Sequence, residues 1–324
     1  MYKLGVYSAD KLARTRTALG KTRQISYSLL KMTDSPTRED IARFETIIRT
    51  VAFSSGISRT TYPERFRDLD NVVERVLERV FPHDRCVVMH DMAASDCMLS
   101  MHWAMKTFAR FPGARMTASD IFLYLVEAVS RSGETYILEP DGTPLQYTRA
   151  PFVIPLQSRE HRAYLANAFM RTWARRHIPE VQSRAVSLEW ESVPDYRVVE
   201  IGSWSFRQIP LVHPAALSFA ENGRFRIAYI DALCAQPWKC DVIRAMNLYQ
   251  PHRLAFEEIQ RGIRAALYAL NNGGLFIAGK TIEDGTKRND ATIFQKTGGL
   301  VRIIERLGKG FEFQDLATQY HAHT

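Results

Sequence analysis

Three short apolar runs in this 324-residue chain each end on an acid. Cys86-Val87-Val88-Met89 leads into His90-Asp91, Arg115-Met116-Thr117-Ala118-Ser119 into Asp120, and Phe225–Ile230 into Asp231. In an open α/β sheet, ligands bind beyond the carboxyl ends of the strands. A carboxylate there accepts hydrogen bonds from ribose hydroxyls or an amino group, so three of them point to a nucleoside-bearing ligand. Taken singly, each Asp reads equally well as the cap of the next helix. Other chemistries lack their residues. His90, Asp91, Asp96 and His102 match no closed metal-site spacing, and His321 and His323 lie on a terminus. There is no Gly-x-Ser-x-Gly elbow for a hydrolase and no Gly-x4-Gly-Lys-Ser/Thr loop for a nucleoside triphosphatase. The methionines of 98–105 read as core packing.

The elements that must position those acids follow from apolar spacing. Ser35-Pro36-Thr37-Arg38-Glu39-Asp40 has the form of a helix start, and Val72, Val73, Val76, Leu77 and Val80 share one helical face up to the Phe81-Pro82 stop. Strand 86–91, helix 96–110, strand 115–120 and helix 121–130 then give the alternation of a doubly wound sheet. The alternation breaks at 134–223. There, Glu134–Leu138 and Leu145–Tyr147 flank Pro140-Asp141-Gly142-Thr143-Pro144 as a hairpin. A helix over 158–175 and short strands at 185–190 and 197–201 follow. A stretch that long needs its own structure. The core grammar resumes with strands at 225–231 and from 240, then a helix over 253–270 whose Phe256, Ile259, Ile263, Leu267 and Leu270 line one face. Asn271-Asn272-Gly273-Gly274 ends that helix before the buried strand 275–278. A strand at 291–296, a helix at 299–307 and a strand at 311–315 complete the expectation. The fold class is α/β: a Rossmann-like, doubly wound, mostly parallel sheet with an inserted α+β subdomain and a helical N-terminal extension. Its segments are a basic arm with N-terminal helices (1–80), a first core segment (81–133), the insertion (134–223) and a second core segment (224–324).

At 85–133 and 224–316 the chain resembles the class I S-adenosylmethionine-dependent methyltransferases. Their first strand ends in an acid followed by a glycine-rich loop; the matching stretch is Val-Val-Met-His-Asp-Met-Ala-Ala-Ser-Asp-Cys, 87–97. The resemblance implies that Asp91, Ala93 and Ser95 border the cofactor, that Asp120 holds ribose hydroxyls, and that Asp231 and Ala232 lie near adenine. The segment Asp241-Val-Ile-Arg-Ala-Met-Asn-Leu-Tyr is similar to the fourth strand of the chemotaxis-receptor methyltransferases, which turns Met246 and Asn247 toward methyl donor and substrate. Asn247, Tyr249 and His252 are candidates for substrate contact; for Tyr249 and His252 a loop that faces water or caps the helix at 253 is the preferred reading. The main departure is that Ala93, Ser95 and Cys97 stand where the family has glycines, which permit positive φ and close approach of the ligand. The implied function is S-adenosylmethionine-dependent methyl transfer, with the insertion helping to select the substrate. The missing glycines motivate an alternative: a methyltransferase-like binding or scaffold protein without transfer activity. NAD is disfavoured, because Gly-x-Gly-x-x-Gly is absent and Asp120 follows Asp91 by 29 residues, longer than the roughly 20 of a dinucleotide fingerprint.

Composition bounds the partners. Lys+Arg number 43 against 35 Asp+Glu, a net +8, and 46% of residues are hydrophobic. That is an ordinary folded composition, with no apolar run long enough for a membrane helix. Four cysteines without a Cys-x-x-Cys pair fit buried thiols in a reducing, cytoplasmic compartment. Residues 1–32 hold seven basic residues (Lys3, Lys11, Arg14, Arg16, Lys21, Arg23, Lys31) against Asp10, and so carry +6 of the +8. Such an arm could touch nucleic acid or anionic lipid, and it shares the acid-poor look of a transit peptide; a solvated, partly mobile segment is the preferred reading. Arg159, Arg162, Arg171, Arg175 and Arg176 could likewise meet an anionic substrate or cover a solvated face with their stems. The methyl acceptor and the oligomeric state stay open.

Overall fold

The computed structural model describes residues 5–15, 24–33, 35–56, 59, 62, 64–157, 165–190, 193–236, 238–284 and 287–320. Lys3, Arg16, Lys21, Arg23, Arg159, Arg162, His321 and His323 lie outside them. In chain order the first elements are α1 (Ala9–Thr15), α2 (Arg38–Ile48), α3 (Arg67–Val80), β1 (Val88–Met92), α4 (Met98–Arg110) and β2 (Arg115–Asp120). Then come β3 (Tyr124–Ser130), β4 (Thr135–Leu138), β5 (Pro144–Arg149), β6 (Phe152–Pro155), α5 (Leu165–Arg175) and α6 (Ile178–Val186). The chain continues with β7 (Val198–Ile201), β8 (Trp204–Pro210), α7 (Pro214–Ala220), β9 (Phe225–Tyr229), β10 (Cys240–Met246) and α8 (Phe256–Ala269). It ends with β11 (Leu270–Glu283), β12 (Lys287–Thr297), β13 (Leu300–Leu307) and α9 (Gln314–Thr318). No helix among the described residues is long and apolar enough to cross a membrane.

Two units share the chain: residues 1–60 with 122–214, and residues 61–121 with 215–324. The cuts thus fall at 60, 121 and 214 instead of 80, 133 and 223. In the second unit a seven-stranded sheet runs β13-β12-β11-β10-β1-β2-β9. The five strands from β11 to β9 are mutually parallel, and β12 is antiparallel to both neighbours. Alternation along β10 sorts its side chains onto two faces. Ile243 and Ala245 join Ile259, Ile263 and Leu267 of α8 in one apolar cluster. Arg244, between them, turns to the opposite face and meets Asp70 of α3 and Trp103 of α4. Helices therefore cover both faces, as a parallel sheet requires.

The first unit is built on an antiparallel sheet of order β6-β5-β4-β3-β8-β7. The described residues of its N-terminal segment, 5–15 and 24–33, are packed in part, where a solvated arm was expected. Val6 bridges Ile25, and Val6, Leu12, Ile25, Tyr27 and Leu30 are buried with Phe44 and Ile47 of α2 and Leu125, Ile137 and Ile209 of the sheet.

Four further expectations change. Residues 121–130 are not a helix: β3 opens the second sheet between β4 and β8. Strand 185–190 does not form, because α6 runs to Val186, while β8, absent from the expectation, does. The helix expected at 299–307 is the edge strand β13, and 311–315 is no strand but leads into α9. The reason lies in Gly298-Gly299, whose φ values of 59° and 81° make the two-residue turn that folds β13 back on β12.

Candidate functional site

The carboxyl ends of β1, β2, β10 and β11 come together at one edge of the parallel sheet, and the loop after β1 defines it. Ala93, Ser95 and Cys97 adopt φ of 54°, 57° and 61°. These are the alternate positions of Asp91-x-Ala93-x-Ser95-x-Cys97, so the backbone takes glycine's left-handed torsions without glycine. Each such residue costs about 1–2 kcal/mol and persists only where its surroundings over-determine it. The surroundings here are hydrogen bonds. Ala94 N donates to Ser119 O (2.9 Å), Cys97 N to Ala94 O (3.0 Å), and Met98 N to Asp96 Oδ1 (3.2 Å). Ser95 N donates to Asp120 Oδ2 (2.8 Å). With these amides committed, the loop offers no run of N–H donors, which a phosphate cradle needs.

The predicted acids part company. Asp120 ends β2 half-buried, its carboxylate on the loop. Asp91 is buried and bonded within the protein. Arg244 Nε donates to its Oδ1 (2.9 Å), Arg244 Nη2 and Ser100 Oγ (2.6 Å) donate to its Oδ2, and Arg244 Nη1 reaches Asp70 Oδ1 at 3.1 Å. The guanidinium lies between Trp103 (4.1 Å to the ring centroid) and Phe66 (5.1 Å). Burial works against its charge, but Asp91 and Asp70 more than offset that and raise its pKa. Burial pushes the Asp70 carboxyl up, with Arg244 pulling it down. Sequence reasoning missed Arg244 and Asp70, although an arginine inside the apolar run Asp-Val-Ile-Arg-Ala-Met signals a buried partner. Asp231 stands past the end of β9, exposed, and caps its own turn by accepting from Leu233 N (2.8 Å). Ala232 is buried.

Beyond β10, Met246 is buried and Asn247 takes φ 59°. Asn247 bridges to β11: its N donates to Gly279 O (2.8 Å), its Oδ1 accepts from Thr281 N (2.7 Å), and its Nδ2 donates to Thr281 Oγ1 (3.3 Å). Thr281 in turn meets Arg65 Nε (3.2 Å) and Asn289 Oδ1 (2.9 Å), two further residues the sequence did not flag. Tyr249 packs in the α8 core beside Phe311, and burial raises its pKa; His252 is exposed. Next to Asp91, His90 turns to the other face, 2.7 Å from Ser119 Oγ, and burial pushes its pKa down to about 4. Its imidazole stays neutral near pH 7.

The strand order decides the fold. It is Rossmann-like. No family profile and no curated protein matches the sequence. Solved structures that match include an S-adenosylmethionine-dependent methyltransferase from Clostridium acetobutylicum, at 12% identity over 79% of each chain with a TM-score of 0.31. Another, from Geobacter sulfurreducens in complex with S-adenosyl-L-homocysteine, is 12% identical over 77% of this chain and 56% of its own, TM-score 0.29. The cyclase SpnF matches at 13% identity over 68% of this chain, which spans about half (48%) of that chain, TM-score 0.27. At such values the likeness carries no argument about activity.

Residues and cofactor fit in part. The left-handed loop and Asp120 suit a nucleoside bearing an amino acid. Asp91, expected to border the cofactor, is bonded to Arg244 and Ser100.

Proposed function

We propose that the second unit binds S-adenosylmethionine at the carboxyl edge of its parallel sheet, and that the chain is a methyltransferase whose first unit helps select the acceptor. The observation that carries this is the left-handed backbone at Ala93, Ser95 and Cys97. Three strained residues at the alternate positions of one loop mark a conformation kept for a use. Asp120 accepts from the ribose hydroxyls, the 93–95 backbone flanks the amino-acid end, Ala232 and Asp231 border the base, and Met246 and Asn247 border the methyl group. The bound cofactor supplies an activated methyl group, so the protein's task is to hold donor and nucleophile in line.

A second reading has its own support: Asp91 neutralised by Arg244, and Ser95 N already on Asp120, describe a methyltransferase-like binding or scaffold protein. Calorimetry of the full chain with S-adenosylmethionine, S-adenosylhomocysteine and NAD separates the two. The first reading expects heat with both sulfur compounds, none with NAD, and at least about tenfold weaker binding in Asp120→Ala, the loss of one or two hydrogen bonds to a charged acceptor. No heat from a folded sample leaves only the scaffold.

A further inference from the structure

A groove of about 290 Å³ in the first unit lies outside the parallel sheet altogether. Lys31, Met32 and Thr33 line it with Tyr196, Val198, Arg207 and Gln208. Behind two of these sits Glu127 of β3, its side chain 1% exposed, against 32% for Lys31 and 38% for Arg207. Lys31 Nζ reaches Glu127 Oε2 at 2.9 Å, and Arg207 Nε shares that same oxygen. One carboxylate thus answers two cations, and the trio keeps a net charge of +1.

The donors left over belong to residues that line the groove. Among the described residues nothing accepts from Nη1 or Nη2 of Arg207, and the Lys31 ammonium has no acceptor besides Glu127. Burial lowers the pKa of Lys31, with Glu127 pulling it back up; a second anion would relieve that cost. A guanidinium fork with two open Nη donors is shaped for the paired oxygens of a carboxylate or phosphate. Tyr196 and Val198, 44% and 55% exposed, supply an apolar flank beside the charge. The Val198–Arg207 register across β7 and β8 fixes the two together. Residues 1–60 and 122–214 also hold six of the eight net positive charges, a field that draws anions in. The volume falls just short of the roughly 300–1,000 Å³ of drug-sized small-molecule sites, which suits a head group and one ring.

We propose that this groove binds a small molecule with an oxyanion head, carboxylate or phosphate monoester, held by Arg207 and Lys31, with an aromatic or apolar body against Tyr196 and Val198. The site does not depend on the cofactor reading of the other unit. Titration calorimetry of the full chain at low salt tests it with three probes: phenyl phosphate, benzoate and inorganic phosphate. Saturable heat with phenyl phosphate or benzoate is expected, the stronger of the two telling phosphate from carboxylate. Arg207→Gln should weaken it about tenfold, a charge-assisted bond's worth. Lys31→Met, which leaves the Glu127–Arg207 pair in place, should weaken it less, and Tyr196→Ala should weaken phenyl phosphate without touching inorganic phosphate. Glu127→Gln removes the competing carboxylate and should tighten binding; if that variant is too unstable to titrate, a melting temperature that rises with phenyl phosphate reads the same effect. The proposal is overturned by no saturation up to about 10 mM, or by equal affinity in wild type, Arg207→Gln and Lys31→Met.

Discussion

Replacing Ala93 and Ser95 by glycine should stabilise the second unit, against the ordinary expectation that glycine weakens a folded chain. Both residues sit at φ near 55°, where an L side chain costs about 1–2 kcal/mol relative to glycine. Glycine loses about 0.5–1 kcal/mol more backbone entropy on folding. The balance is a gain of about 0.5–1 kcal/mol per site, and glycine at 95 keeps the backbone N–H that donates to Asp120. Together they should add about 1–2 kcal/mol, which for a unit of this size raises the melting temperature by about 2–8 °C. Differential scanning calorimetry and urea unfolding of the full chain read it. Ala94→Gly is the internal control: its φ is not positive, so it should destabilise by about 0.5–1 kcal/mol. If Ala93→Gly and Ser95→Gly lose stability as Ala94→Gly does, the loop is not left-handed and the cofactor reading loses its main support. A cofactor site would register the same change twice, because removing two Cβ atoms also widens the cradle and should tighten S-adenosylmethionine.

Arg244→Met should cost about 3–5 kcal/mol in urea unfolding, because Asp91 would stay buried without its counter-ion and Asp70 would keep only Lys106, 3.8 Å away; adding Asp91→Asn should recover part of the loss, and a near-neutral Arg244→Met would contradict the buried ion cluster. His90 gives a pH signature. Its folded pKa of about 4 lies below the unfolded value of 6.5, so the unfolded state binds the proton first. Stability should fall as pH drops from about 6.5 toward 4, by about 3 kcal/mol from this group. His90→Gln should flatten that part of the pH profile, and an unchanged slope would mean the imidazole is not buried neutral.

Much of the parallel sheet could be read from short apolar runs, because strands buried on both faces have few other solutions. The loop pattern 91–97 and the β10–α8–β11 succession were legible for that reason. Glu127 explains the largest miss. In the run Leu125-Val126-Glu127-Ala128-Val129 it mimics the polar face of a helix, yet the strand buries it against Lys31 and Arg207, partners far along the chain. Leu300, Ile303, Ile304 and Leu307 satisfy a helical period and Val301 with Ile303 a strand period; only the Gly-Gly turn decides between them. At the site, residue type located Asp91 but could not show where its charge is spent. That depended on Arg244 lying beside it in parallel register.

The interleaving of the two units has a consequence for how the molecule is made. Strands β1 and β2 pair with each other by residue 120, but their outer neighbours, β9 and β10, begin at residues 225 and 240. On a ribosome adding roughly 5–20 residues per second, that pair waits about 5–25 s with both hydrogen-bonding edges open. In the interval residues 122–214 are synthesised, and with them all six strands of the antiparallel sheet. The half-built sheet, with both edges unpaired, is thus the species most exposed to misassembly.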